Sequence, residues 1–177
     1  MVEQKGTSDV MAAVYVHYGN DAFESEYFAP VRNNLYFPKP EGGLWASRED
    51  DENGWAAWCR QERFKTFRLK HFFKFTLAPD SRVLTLESED QLLDLPKLKP
   101  WKPKDLRWMY ELKPDEHPSP EQLEEWFQPN PCLLDYEKMA RQGIDAIEMI
   151  GAGAFIHSLK TWDCNCLFVM NPDIILL

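Results

Sequence analysis

Apolar and polar positions change places in short blocks along this chain, and the blocks predict strands more often than helices. Val14 to His17 reads as a first strand and Gly42 to Ser47 as a second. Between them lies a loop of about twenty residues carrying Phe23, Tyr27, Phe28, Tyr36 and Phe37, and a loop that long and aromatic is usually functional. Trp55, Trp58, Cys59 and Glu62 fall on one face at i, i+3, i+4, i+7 spacing, which predicts a helix over Glu52 to Phe64 with its Trp pair facing the core. His71 to Leu77 and Arg82 to Leu86 read as a hairpin around Ala78-Pro79-Asp80-Ser81. Ser88-x-x-Gln91 is a capping box opening a short helix that Pro96 stops.

Pro96 to Pro120 holds six prolines, Trp101, Trp108 and many Lys, and its weak core pattern marks an irregular excursion. A helix is expected from Ser119 or Pro120 through Phe127, and another over Leu134 to Gln142, closed by Gly143 in the left-handed position. Two strands follow, Ile144 to Ile150 and Cys164 to Met170, the latter ended by Asn171-Pro172. The second is apolar on both faces, so it is expected at the centre of a sheet. Strands interrupted by helices place the chain in the α+β class, as one domain over residues 1–177.

Composition narrows the function. The chain is 44% hydrophobic with seven Trp, enough for a packed core. A net charge of −9 argues against nucleic acid as the main partner, because phosphates need a basic surface. The basic runs Arg60 to Lys74 and Lys97 to Arg107 read as solvated surface. No apolar run is long enough for a membrane span, and Met1 to Asp9 lacks a secretory pattern, so a cytoplasmic location with four free thiols is expected. Cys164-x-Cys166 with His157 upstream is weak metal spacing inside an apolar strand, and no metal site is expected.

Glu148 is the leading carboxylate. It shares a strand face with Ile144, Ala146 and Ile150, where an acid is costly unless it is used for chemistry, pairs with a nearby arginine or escapes to solvent at a strand end. At the other end of the chain, His17 closes a strand beside Tyr18 and Gly19, and Gly42-Gly43 precede Trp45 and Ser47, which share a face. Glycine lets a ligand approach the backbone, and Tyr18 or Trp45 could stack on a nicotinamide ring. Sequence signatures for phosphate loops, dinucleotide turns, nucleophile elbows and zinc proteases are all lacking.

The order of these pieces resembles the ADP-ribosyltransferase fold, in its diphtheria-toxin-like and poly(ADP-ribose)-polymerase-like branch. Val14-Tyr15-Val16-His17-Tyr18-Gly19 is similar to that family's first strand, with an extra Tyr between His and Gly. Gly43-Leu44-Trp45-Ala46-Ser47 is similar to its second, with Trp in a Tyr position. Gly143 to Ile147 and Asn171 to Ile175 look like closing segments of bacterial and phage members. The resemblance implies a split mixed or antiparallel sheet, and NAD as a substrate whose ADP-ribose passes to a macromolecular acceptor, expected to be a protein. It implies that His17 bonds the ribose, Gly19 holds the carboxamide, and Trp45 or Tyr18 stacks on nicotinamide. It implies an acid at the start of the last strand, where this chain has Cys164-Asn165-Cys166. Asp163 or Glu148 then serves in an altered geometry, or catalysis is lost. The alternative is a non-catalytic protein-binding module of the same or a related fold, of the inhibitor or immunity type.

Overall fold

The computed structural model describes residues 12–34, 38–98, 133–151 and 162–177. Among the described residues the strands are β1 (Tyr15–Tyr18), β2 (Leu44–Arg48), β3 (Phe72–Leu77), β4 (Val83–Leu86), β5 (Ala146–Met149), β6 (Cys166–Val169) and β7 (Ile175–Leu176). They form one mixed sheet in the order β4-β5-β6-β2-β1-β3-β7, in which β4 and β5 are parallel and the other pairs antiparallel. With helices α1 (Trp55–Gln61) and α2 (Tyr136–Arg141) beside it, the architecture is α+β. The expected helix through Phe127 and most of the Pro96–Pro120 excursion lie outside the described residues.

The hairpin expected of β3 and β4 does not form. β3 pairs with β1 and β7, whereas β4 lies at the opposite edge against β5. Five strand spacings separate β3 from β4, about 24 Å in a flat sheet. The connection from Leu77 to Val83 reaches at most about 20 Å. The sheet therefore curls until its edges approach, and Val83 of β4 packs on the same core cluster as Phe75 and Leu77 of β3.

Curling gives the sheet an inner and an outer face. By register, Tyr15, Phe75, Ala46, Leu167, Val169 and Ala146 share the inner one, where they pack with Ile174, Val83 and Leu77. Ile147, Met149, Phe168 and Leu86 line the outer face and pack with Met139 and Tyr136 of α2 and with Trp162. β6 lies between β5 and β2 with Leu167, Phe168 and Val169 fully buried, as expected of a strand apolar on both sides.

Local signals act as their chemistry dictates. Ser88 and Gln91 form the capping box over a 3-10 turn at Glu89–Leu92. Asp135 caps α2 by accepting from the Lys138 N–H, and Gly143 follows at φ +81°. α1 is shorter than its periodicity, because Arg63 and Lys65 take positive φ and end the helical path. Gly43 sits at φ +62°, where an added Cβ would stand 2.3 Å from the Phe168 ring and 2.7 Å from the Val169 carbonyl. Gly43→Ala is expected to lose about 2–5 kcal/mol in denaturant unfolding, combining the left-handed penalty with overpacking. Gly19→Ala, whose Cβ meets open space, loses only the backbone part.

Candidate functional site

The site begins where two strands part. The β1–β2 ladder holds at Tyr15↔Arg48 and Val16↔Ser47 and then stops. Beyond that point β1 follows β3, and β2 follows β6. The His17 imidazole fills the gap and meets the Trp45 carbonyl through Nδ1 at 2.7 Å. A carbonyl only accepts, so Nδ1 carries the proton and Nε2 keeps its lone pair. Burial pushes the His17 pKa down, while the bond to Trp45 opposes it more weakly.

Two hollows open beside His17. The first is a cavity of about 400 Å³ on the outer face, within the size range of small-molecule sites. Its walls are aromatic. Trp55 and Trp58 of α1 stack at 5.1 Å between centroids, and Phe64 meets both rings edge-on. Opposite them Trp45 and Trp162 cross at 4.8 Å and 74°. Lys39, Lys65 and Arg68 supply cations to the lining and Asp163 an exposed carboxylate. The Lys39 ammonium stands over the Trp45 ring, 4.5 Å from its centroid. The second hollow is a groove of about 720 Å³ bordered by Gly19, Asp21, Glu24, Tyr27 and Gly43.

The structure thus brings His17, Tyr18, Trp45, Ser47 and Asp163 to one cavity, and puts Gly19 and Gly43 in the groove beyond His17. The Gly19 N–H is already donated to the His71 carbonyl at 2.8 Å. The tightness at Gly43 comes from Phe168 rather than from a ligand's approach. Ser47 is buried, with its hydroxyl accepting from the Trp55 N–H at 2.8 Å and donating to the Asn165 carbonyl at 3.1 Å. It fixes α1 and the start of β6 against β2, which positions the aromatic wall. Tyr18 is half-buried against Phe72, and burial raises its phenol pKa.

Glu148 stands on the inner face and lines neither hollow. Arg48 Nε and Nη2 donate to its two oxygens at 2.6 and 2.8 Å, and the Tyr15 hydroxyl donates at 3.1 Å. Its carboxylate has the arginine partner that a buried acid requires.

Sequence reasoning missed the ring wall's role and the cations. The Trp55/Trp58 spacing predicts a core-facing pair, whereas both rings are only part-buried and line the cavity. Lys65 and Arg68 lie in a basic run that reads as solvated surface. Cys164 and Cys166 also line the cavity, but a hydrogen bond to Cys164 and then burial hold the Cys166 thiol well above its usual range, unfavourable for a nucleophile. Among the described residues no cluster of three or more His, Cys, Asp or Glu could hold a metal ion, and no helix is long and apolar enough to cross a membrane.

The neutral His17 predicts a pH response. The unfolded chain takes up this proton near pH 6.5, whereas the folded protein resists it to lower pH. Stability is expected to fall as pH drops below about 6.5, until the folded imidazole also protonates. Thermal unfolding of His17→Gln beside the parent across that window should show a shallower loss in the variant.

Comparison with known proteins returned no matching family model, no matching curated protein and no matching solved structure.

Proposed function

We propose that the outer-face cavity binds NAD and that the protein transfers its ADP-ribose to a macromolecular acceptor, most plainly a protein side chain. The observation that carries this reading is one cavity combining ring walls, three cations, the His17 ring and a single carboxylate. A dinucleotide needs each of these: stacking for its rings, cations for the diphosphate and an acceptor for a ribose hydroxyl. The resemblance of the β1 and β2 segments to ADP-ribosyltransferases points the same way.

The charge pattern suits the chemistry. The nicotinamide of NAD is a pyridinium, and the Trp45 face already attracts a cation in Lys39. A ring stacked there displaces the ammonium toward the diphosphate. The bond from the ribose C1′ to the pyridinium nitrogen then breaks, and its electron pair leaves with neutral nicotinamide. The oxocarbenium-like sugar gains stability from a carboxylate fixed nearby, the role we assign to Asp163. The acceptor forms the new bond to C1′ and gives up its proton to solvent or a base.

Exposed Tyr27, 77% accessible on the groove, favours a second reading, a non-catalytic module that holds a partner protein. Proton NMR of the protein with NAD separates the two. Saturation transfer to NAD with accumulation of free nicotinamide is expected. Absence of binding would leave the partner-binding module as the better account.

A further inference from the structure

Trp162 lies in the wall of the outer-face cavity and is only 1% exposed. Its ring is fixed by three aromatic neighbours: Trp45 edge to face, Tyr136 stacked at 6.3 Å and Phe168 edge-on at 6.4 Å. Yet its Nε1–H has no acceptor among the described residues, although every other buried side-chain nitrogen or oxygen there has a partner. An indole is a donor with no second role, and a buried donor left unmade is costly enough that folded proteins rarely keep one without a use. The nearby Trp45 ring offers at best a weak π acceptor.

The donor expected to grip the carboxamide is not available in this cavity. The Gly19 N–H bonds the His71 carbonyl, and Gly19 borders the groove on the far side of His17. A ring stacked on Trp45 would have Trp162 as its immediate neighbour. Resting on the NAD reading above, we infer that Trp162 determines specificity for the leaving ring: its Nε1–H donates to the carboxamide oxygen of nicotinamide. The cavity then selects an aromatic ring bearing a hydrogen-bond acceptor at its inner end, with the phosphates toward Lys65 and Arg68. Trp162 is a recognition group here, and the chemistry stays with the carboxylate.

The first test leaves the chain unaltered. With tryptophan labelled by ¹⁵N and the indole signals assigned, NAD is expected to move the Trp162 indole proton downfield, whereas ADP-ribose, which lacks the nicotinamide, leaves it in place. The second uses Trp162→Phe, which keeps an aromatic ring and removes the N–H. NAD is expected to bind about tenfold more weakly, the value of one buried acceptor left without its donor, with ADP-ribose unchanged within about twofold. Movement of the Trp45 indole signal by NAD without movement of Trp162 overturns the assignment while leaving NAD binding intact. Equal NAD affinity in folded Trp162→Phe does the same. If NAD moves no indole signal and shows no saturation transfer, the dinucleotide reading itself falls, and this assignment with it.

Discussion

Arg48→Met is expected to lower the free energy of unfolding by about 2–3 kcal/mol at neutral pH, measured by urea denaturation. The variant leaves Glu148, 5% exposed, with the Tyr15 hydroxyl as its one remaining polar side-chain partner among the described residues. Removing one member of a buried ion pair costs about 3–5 kcal/mol. The Arg48 side chain is 47% exposed, so solvent reaches this pair and the loss falls below that range. Glu148→Gln in the same background removes the orphaned charge and should recover most of the loss. Little change in the single variant would mean that water replaces the guanidinium at no cost. Tyr15 remains a donor throughout, because burial first and the Glu148 charge second push its pKa up to about 12.

Asp163→Asn is expected to slow nicotinamide release from NAD by about 100- to 1000-fold, the usual cost of removing one preorganised electrostatic partner from a transition state. NAD affinity should change little, since the role proposed for this carboxylate is to stabilise the cation that develops as the glycosidic bond breaks. Glu148→Gln supplies the contrast. Its side chain is buried on the opposite face of the sheet, so its main effect should be on unfolding rather than turnover. If folded Glu148→Gln abolished release while Asp163→Asn retained it, the two carboxylates would exchange roles.

What was legible in the sequence follows from what is local. β1, β2, β5 and β6 lie within two or three residues of their expected bounds, because short apolar runs bounded by Gly, Pro and Asn carry their own signal. The Ser88–Gln91 box and the Gly143 stop are likewise complete within a few residues. The partners of β3 and β4 are not local. Ala78 to Ser81 has turn chemistry, but the curl of the sheet decides whether that turn closes a hairpin or links two distant edges. The same limit divides the site. His17, Tyr18, Trp45 and Ser47 could be grouped because two adjacent strands carry them. Lys39, Lys65, Arg68 and Trp162 join them only through the path of loops and the placing of α1. Glu148 on an apolar face required a use, a cation or an escape to solvent, and only the folded register places Arg48 in reach.

The sheet order also governs how the chain can assemble. β6 is the seam between β2 and β5, and the bond from Ser47 to Asn165 that fastens it spans 118 positions of sequence. Closing such a loop costs entropy before any contact compensates it, and non-local pairings of this kind slow folding. Until β6 docks, β2 and β5 each present an open hydrogen-bonding edge flanked by Trp45 and Ile147, so the half-formed sheet carries a surface prone to pairing with other chains. The strand that completes the outer-face cavity is thus also the one whose docking closes those two open edges.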